Sequence, residues 1–558
     1  MKNKYFDLME AAFSAYTEEH IRRYFEDVRA HGLTEHGFPR LTANIGILIS
    51  HGRRRDLLPL FSDMMELCCK TIPTVKAAND FSVREIVACL CEVEASGACA
   101  EADTARWRSY LAKIEPTSCY SKFAADPSDD VRNWALFTAV SEYYRLCAGL
   151  GGSMDFIELQ IASQLKFFDE NGMYLDKAGT DVHQPIMYDL VSRGLLVLLI
   201  NAGYRGRYYE ELDALLKKSA RLTLKMQSSN GEMAFGGRSN QFLHNEAWLA
   251  TIFEHEAKRY ASEGDIHLAA AFKSAAERAI SVTEEWLGKK PVRHIKNRFE
   301  TETKYGCEGY AYFDKYMITV ASNLYAAYSV CDDSIPSSAP TDNIAHFQTS
   351  EHFHKLFLRC DGYALEFDIN ADPCYDSCGL GRLHRAGAPS VIAISCPCPK
   401  SPKYTVDIDE PFALSMCSAI FADGVWRFAA DGKGKYSVTE SGGCGNSAFA
   451  TLTCDFGAGR VSREHYTVSE SGVTVSVEGE GEIGYVLPAF SFDGECYSEI
   501  TLDAHSLTVS YGGFACRYTT DGTVLDLGRT AANRNGHYRA FLATGSGKLK
   551  LKIEIIKE

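Results

Sequence analysis

The chain has 558 residues, 46% of them hydrophobic and 23% charged, with a mean hydropathy of -0.18. That length exceeds what one hydrophobic core sustains and predicts two or three domains in a globular protein. A formal net charge of -15 argues against a nucleic-acid partner, whose phosphates need a basic face, and still allows a local basic pocket for an acidic sugar.

From the first residue to about 330, apolar residues recur at three and four, as in LFSDMMELCC and LVSRGLLVLLI, which is the helical period. The period predicts helices near 4–30, 41–50, 55–70, 82–96, 102–114, 131–149, 153–170, 185–202, 206–228, 241–262, 265–287 and 308–330. Their connections are short and rich in Gly, Asp and Asn, as in Gly149-Leu-Gly-Gly152, Asn201-Ala-Gly203 and Ser229-Asn-Gly231. About a dozen helices in antiparallel pairs suit an α/α toroid, incomplete or of six hairpins. At Cys331-Asp-Asp-Ser-Ile-Pro-Ser-Ser-Ala-Pro-Thr-Asp342 the composition becomes polar and proline-punctuated. Beyond it the period changes to two, in TVSVEG, SLTVSYGGFACRYTT and KLKLKIEII, the signature of half-buried antiparallel strands. The expected division is a toroid over 1–333, a linker over 334–344 and an antiparallel β-sandwich over 345–558.

The N-terminal MKNKYFDLMEAAFSAY carries charges where an export signal needs an unbroken apolar run. No stretch approaches the roughly 20 apolar residues of a membrane span. No membrane partner is expected, and the expected compartment is the cytoplasm. The 19 cysteines are scattered, odd in number and often in apolar runs (Cys68, Cys69, Cys89, Cys91), which fits reduced, buried thiols. A homo-oligomer is allowed.

Five groups of residues carry chemistry-bearing side chains. Asn133-Trp134 follows Asp129-Asp130 at a helix start, where an asparagine donates to a carboxylate or caps its own backbone. In Phe167–Arg193, Asn171-Gly172 reads as a left-handed helix stop, and Pro185 sits in the first turn of the next helix with Gln184 as its cap. His183 and Tyr188 straddle that restart, near the positive end of a helix. In Phe235-Gly-Gly-Arg-Ser-Asn-Gln-Phe-Leu-His-Asn-Glu-Ala-Trp248, the two glycines permit a tight turn that presents Arg238, a bidentate carboxylate donor. Asn240, His244 and Trp248 then fall four apart on one helix face. Lys304-Tyr-Gly-Cys-Glu-Gly-Tyr-Ala-Tyr-Phe-Asp-Lys-Tyr316 is dense in aromatics, and Tyr305 and Tyr310 face a carbohydrate or pack between domains. Last, Cys374, Cys378, His384, Cys396 and Cys398 admit a structural zinc by spacing but lack a regular CxxC pair. The expectation is no metal and no cofactor. Neither a P-loop, a dinucleotide fingerprint, an HExxH nor a nucleophile elbow is present, and the Gly-rich 441–445 reads as a turn between strands.

Helices followed by strands, with these motifs, resemble the heparinase II/III, alginate and chondroitin/hyaluronate lyase superfamily. Asn133-Trp134 is similar to its Asn-Trp, in which the asparagine neutralises a uronate carboxylate. Asn171-Gly-Met-Tyr-Leu-Asp176 with His183 and Tyr188 resembles its Asp-Gly-Ser-Phe segment with a downstream His and Tyr, at a tighter His-to-Tyr gap than in the chondroitin-type enzymes. Gly237-Arg-Ser-Asn240 resembles the segment that supplies an arginine. Leu380-Gly-Arg-Leu-His384 resembles a turn that such sandwiches lean towards the cleft. The resemblance implies a uronate-containing oligo- or polysaccharide cleaved by β-elimination. The residue types suit that reaction, which needs a neutralised carboxylate, a base for the C5 proton and an acid for O4. Tyr188 is the expected proton-transfer residue, with His183 its partner and His244 the alternative base. Asn133 and Arg238 are expected at the carboxylate, with Trp134, Asn240, Trp248, Tyr305 and Tyr310 binding the sugar. The same toroid also occurs in glucuronide hydrolases. Such an enzyme needs two carboxyl groups, and Asp176, Asp181, Glu232, Glu246 and Glu308 are its candidates. Asp189 is expected to be tied up in an i,i+4 ion pair with Arg193. A non-catalytic carbohydrate-binding protein is the third alternative.

Overall fold

The computed structural model describes residues 1–177, 183–338, 344–360, 362–432 and 434–558. Its helices are α1 (Lys2–Phe13), α2 (Glu18–His31), α3 (Gly37–Ser50), α4 (Leu58–Thr71), α5 (Val83–Ser96), α6 (Glu101–Leu111), α7 (Pro116–Cys119), α8 (Asn133–Cys147), α9 (Met154–Leu165), α10 (Ile186–Asn201), α11 (Tyr209–Met226), α12 (Leu243–Ser262), α13 (Ile266–Gly288) and α14 (Phe313–Val330). The helix expected over 4–30 is two. Thr17 accepts the His20 N–H and is followed by Glu18 and Glu19, so a capped second start interrupts the run. The restart at α10 also differs from expectation. Gln184 does not cap it, because its side chain bonds both the N–H and the C=O of Lys177, and Pro185 stands just before the first turn.

Six helices form a closed inner ring. α3 packs on α5, α5 on α8, α8 on α10, α10 on α12, α12 on α14, and α14 returns to α3. α1, α4, α6, α9, α11 and α13 pack outside it. The reason is visible in burial. α10 and α12 are buried almost all round, as inner helices must be, whereas α11 buries one stripe (Leu212, Leu216, Ser219, Ala220, Thr223). Closure between the first and last inner helices is polar and specific. Asn44 donates to Ser322 at 2.9 Å and Arg40 to Thr319 at 2.9 Å, and Ser322 reaches on to Glu85 of α5 at 2.8 Å.

The second half is a β-sandwich of two antiparallel sheets around a shared apolar core. The smaller sheet has four strands, β1 (Ala345–Gln348), β2 (Lys355–Cys360), β3 (Tyr363–Asp368) and β4 (Gly379–Arg385), in that order. The larger has eleven, β5 (Ser418–Ala422), β6 (Val425–Phe428), β7 (Lys435–Cys444), β8 (Ser447–Asp455), β9 (Val461–Ser469), β10 (Gly472–Phe492), β11 (Glu499–Asp503), β12 (Ser506–Tyr511), β13 (Phe514–Thr520), β14 (Thr523–Asn533) and β15 (Gly536–Lys557). Val473, Val475 and Val477 of β10 are buried with Leu549, Leu551 and Ile553 of β15, which pair with them in register, as period-two alternation requires. Two expected turns are strand. Residues 380–384 lie within β4, and Ser441–Cys444 end β7, with the turn only at Gly445, φ 57°.

The sandwich meets the toroid through its small sheet and two turns. Arg382 of β4 donates to the Met233 carbonyl at 2.7 Å, Asn535 to that of Lys296 at 2.6 Å, and Asn297 to that of Arg534 at 2.9 Å. No helix among the described residues is long and apolar enough to cross a membrane.

Candidate active site

All six inner helices turn their N-terminal ends to one mouth of the ring, around a cavity of about 1010 Å³. Arg40 comes from α3, Asn133 and Trp134 from α8, Tyr188 from α10, and His244 and Trp248 from α12. Tyr316 and Thr319 come from α14, and Ala78 and Phe81 from the turn before α5. Each helix start carries roughly half a positive charge. To these the wall adds Arg40, Lys122, Arg132, Arg238 and Lys315 against Glu35, Asp130 and Asp176. A protein of strongly negative net charge thus keeps a cationic cavity.

Three residues of the rim hold positive φ without being glycine: Ala78 (54°), Arg132 (60°) and Ser239 (60°). Such conformations cost about 1–3 kcal/mol each and persist only where neighbours over-determine them. Arg132 shows how. Its guanidinium lies 3.7 Å from the Phe167 ring centre, donates to the Leu175 carbonyl at 2.8 Å and pairs with Asp130. The stretch from Phe167 to Leu175 thereby fixes the start of α8, and Asn133 with it.

At the centre, the Arg238 guanidinium lies 4.3 Å from the centre of the Tyr188 ring and pairs with Asp176 at 3.0 Å. Among the described residues, Arg238 Nε is buried without a hydrogen-bond partner. The Tyr188 hydroxyl is 3.5 Å from Ser239 Oγ, which is 2.8 Å from the Tyr310 hydroxyl. Burial raises the Tyr188 pKa, and Arg238 opposes the shift. Burial likewise raises that of Asp176, again against Arg238. His244 packs in a cluster with the rings of Phe242 and Tyr316, and among the described residues its buried Nδ1 has no hydrogen-bond partner. Its burial, with Arg40 and His294 nearby, pulls its pKa down to about 3, so the imidazole is neutral at pH 7.

Asn133, Trp134, Tyr188, Arg238, His244, Trp248 and Tyr310 therefore share one cavity. Trp134 is flanked by Phe81 and by the Lys122 ammonium at 4.8 Å. Trp248 is nearly fully buried against Gly194, where even an added Cβ would come within 2.2 Å of its ring, so its face is not open for stacking. Other expected residues lie elsewhere. His183 does not line the cavity; its ring meets that of His354 at 5.3 Å, and burial lowers its pKa despite Asp368 and Asp372. Asn240 precedes α12 rather than sharing its face and donates to the Ala234 carbonyl. Tyr305 stacks on Phe299 at 3.6 Å in the interdomain packing.

Of the hydrolytic candidates only Asp176 reaches the cavity, and Asp181 lies outside the described residues. Glu232 and Glu246 flank Lys296 at 2.9 and 2.8 Å. Although burial opposes it, Lys296 holds Glu232 well below the usual carboxylate range. Glu308 pairs with Arg534 at 2.6 Å. Asp189 and Arg193 form the expected buried ion pair. Among the described residues no group of three or more His, Cys, Asp or Glu is placed to hold a metal. Of the residues whose spacing admitted a zinc, Cys378 accepts the Ala371 N–H, Cys396 bonds Asn535, and His384 lies buried beside Glu232 and Arg382.

Sequence reasoning missed Arg40, Lys122, Arg132, Ser239 and Lys315. One signal was available for two of them. Arg40 and Lys315 stand in the first turns of α3 and α14, where a cation opposes the helix dipole.

No known protein-family profile and no curated protein matches the chain. Among solved structures it is similar to the heparan sulfate lyase HepC from Pedobacter heparinus, at 8% identity over 93% of this chain and 75% of that one, TM-score 0.43. It is similar to a heparinase III at 10% identity, over 89% and 78% of the two chains, TM-score 0.39. A point mutant of the Streptomyces coelicolor A3 chondroitin AC lyase is also similar, at 10% identity over 99% and 82%, TM-score 0.44. These likenesses carry no activity to this chain.

Proposed function

We propose that the protein is a lyase that cleaves uronate-containing oligo- or polysaccharides by β-elimination, with the reaction centred on Tyr188. The observation that carries this reading is the half-buried Tyr188 phenol with Arg238 on its ring and Asn133 in the same cationic cavity. A uronate carboxylate entering the cavity meets helix N-termini and the donors of Asn133 and Arg238, which stabilise the enolate as the C5 proton leaves. Burial keeps the Tyr188 phenol protonated at rest, a form that delivers a proton to the departing O4. Ser239 and the half-exposed Tyr310 extend from it as a relay to solvent. The 3.5 Å contact to Ser239 is long, as catalytic hydrogen bonds often are before substrate binds. For the C5 proton, His244 stands in the same cavity as the base; burial and Arg40 hold its proton affinity low in the empty site, and a uronate carboxylate bound beside it would raise that affinity. Among the described residues, the other carboxylates expected for a hydrolase, Glu232, Glu246 and Glu308, are held by Lys296 and Arg534 away from Asp176 and the cavity.

The test is turnover of heparan sulfate, chondroitin sulfate and alginate by the purified protein, followed by ultraviolet absorbance and by reducing ends. Elimination creates a C=C bond conjugated to the carboxylate, so absorbance and reducing ends should rise together. Reducing ends without absorbance would establish hydrolysis, and binding without either would establish a non-catalytic receptor.

A further inference from the structure

The segment Phe235–Ser239, which carries Arg238, has three alternate backbone N–H groups bound to three buried carboxylates. Phe235 donates to Glu366 at 3.2 Å, Gly237 to Asp376 at 2.8 Å and Ser239 to Glu308 at 2.7 Å. Glu366 lies on β3 and Asp376 in the loop after it. Glu308 belongs to the toroid but is gripped by both terminal nitrogens of Arg534, at 2.6 and 3.0 Å, from the turn between β14 and β15. All three anchors therefore lead to the sandwich, and none of these four side chains lines the cavity.

The segment needs such anchoring. Gly236, Gly237 and Ser239 hold φ of 143°, 73° and 60°, a path that neither a helix nor a strand supplies with partners. Its other side is seated on the start of α10. Ile186 donates to the Gly236 carbonyl at 3.2 Å, and a Cβ on Gly237 would come within 2.8 Å of Pro185. Arg238 and Ser239 are thus pressed against the helix turn that bears Tyr188. We propose that the sandwich sets the geometry of the proton-transfer site through this clamp, with Glu366, Asp376 and the Arg534–Glu308 pair as positioning residues. The proposal rests on the lyase reading above. Glu308, ion-paired with Arg534, is an acceptor of the strong class for a backbone N–H, and all three acceptor side chains are buried, so the clamp holds Arg238 over Tyr188 before substrate arrives.

The experiment compares the native protein with Arg534→Met, Arg534→Lys and Asp376→Ala. It measures kcat and KM on whichever of heparan sulfate, chondroitin sulfate or alginate is turned over, and amide hydrogen exchange of the peptide spanning 233–242. The clamp predicts that Arg534→Met lowers kcat by about 10²-fold, as a displacement of about 1 Å does, with KM little changed. Exchange at Ser239 should accelerate at least about tenfold, the loss expected when a charged anchor goes, and Arg534→Lys should restore part of kcat. Folded Arg534→Met with native kcat or native exchange in this peptide would overturn it. Should that variant not fold, Glu308→Gln keeps the shape and loses the charge pair, and the same two outcomes decide. A native protein that makes no unsaturated product from any of the three glycans, yet shows the loop-specific exchange response, would refute the lyase reading and leave the clamp standing. Native elimination with an unresponsive loop would refute the clamp alone.

Discussion

Two charged clusters lie within the same half of the molecule and do opposite things. At the seam between toroid and sandwich, Lys296 is fully buried between Glu232 and Glu246, and Ser390 adds a hydrogen bond to Glu232. At the cavity, cations outnumber carboxylates, Arg238 keeps a buried Nε unpartnered, and Lys122 forms no ion pair among the described residues. Charges that find their counter-ions within the fold hold it together. Charges left in excess around a cavity are available to an anion from outside.

Tyr188→Phe attacks the cavity side and should have the largest effect. Proton-transfer groups contribute about 10²–10⁴-fold, so kcat should fall by that much with KM little changed, and the retained ring should keep the melting temperature native. Lys296→Met attacks the seam. It leaves two carboxylates facing each other without their cation, so urea denaturation should show a loss of about 3–5 kcal/mol, with native turnover per folded molecule. The same outcome in both variants, in either direction, would erase the distinction. Next come Arg238→Ala and Asn133→Ala, each expected to cost about 10²–10³-fold in kcat/KM, the range for one oxyanion donor. Both should raise KM as well, because the ground state already carries the carboxylate.

A pH test sharpens the seam. Burial, against Lys355 and Arg382, pushes the Glu366 pKa from 4.5 up to about 7. Between those values the folded protein keeps a proton that the unfolded chain has released, so the contribution of this group to stability is full below about 4.5 and is lost as pH rises to about 7. Glu366→Gln should flatten that decline in melting temperature, and an unchanged slope would contradict the assignment. The smallest effect is expected for Lys122→Ala, a rise in KM of about 2–5-fold at low salt that vanishes as ionic strength shortens the screening length.

Much of the architecture could be read from hydrophobic period alone. Three- and four-residue spacing to 330 and two-residue spacing after 345 reflect which side of a helix or strand meets water, a local property written in every turn. The Gly236-Gly237 turn, Asn133 at a helix start and Tyr188 after Pro185 were legible for the same reason, as each serves its own few residues. The misses had local as well as long-range causes. Thr17 divides the first helix by a cap of a single hydrogen bond. Asn240 is drawn off its helix to the Ala234 carbonyl. His183 is turned to His354, more than 170 residues away.

What the sequence determined by itself, then, was the order of elements and the set of side chains able to neutralise a carboxylate or move a proton. Only the tertiary structure decided which of them meet. Closure of α14 on α3 brings Arg40 to the wall that also carries Asn133 and Arg238, and Arg534 reaches Glu308 across 226 residues of sequence. Ring closure and interdomain contact depend on packing among all six inner helices at once, and no periodicity within a single segment encodes that.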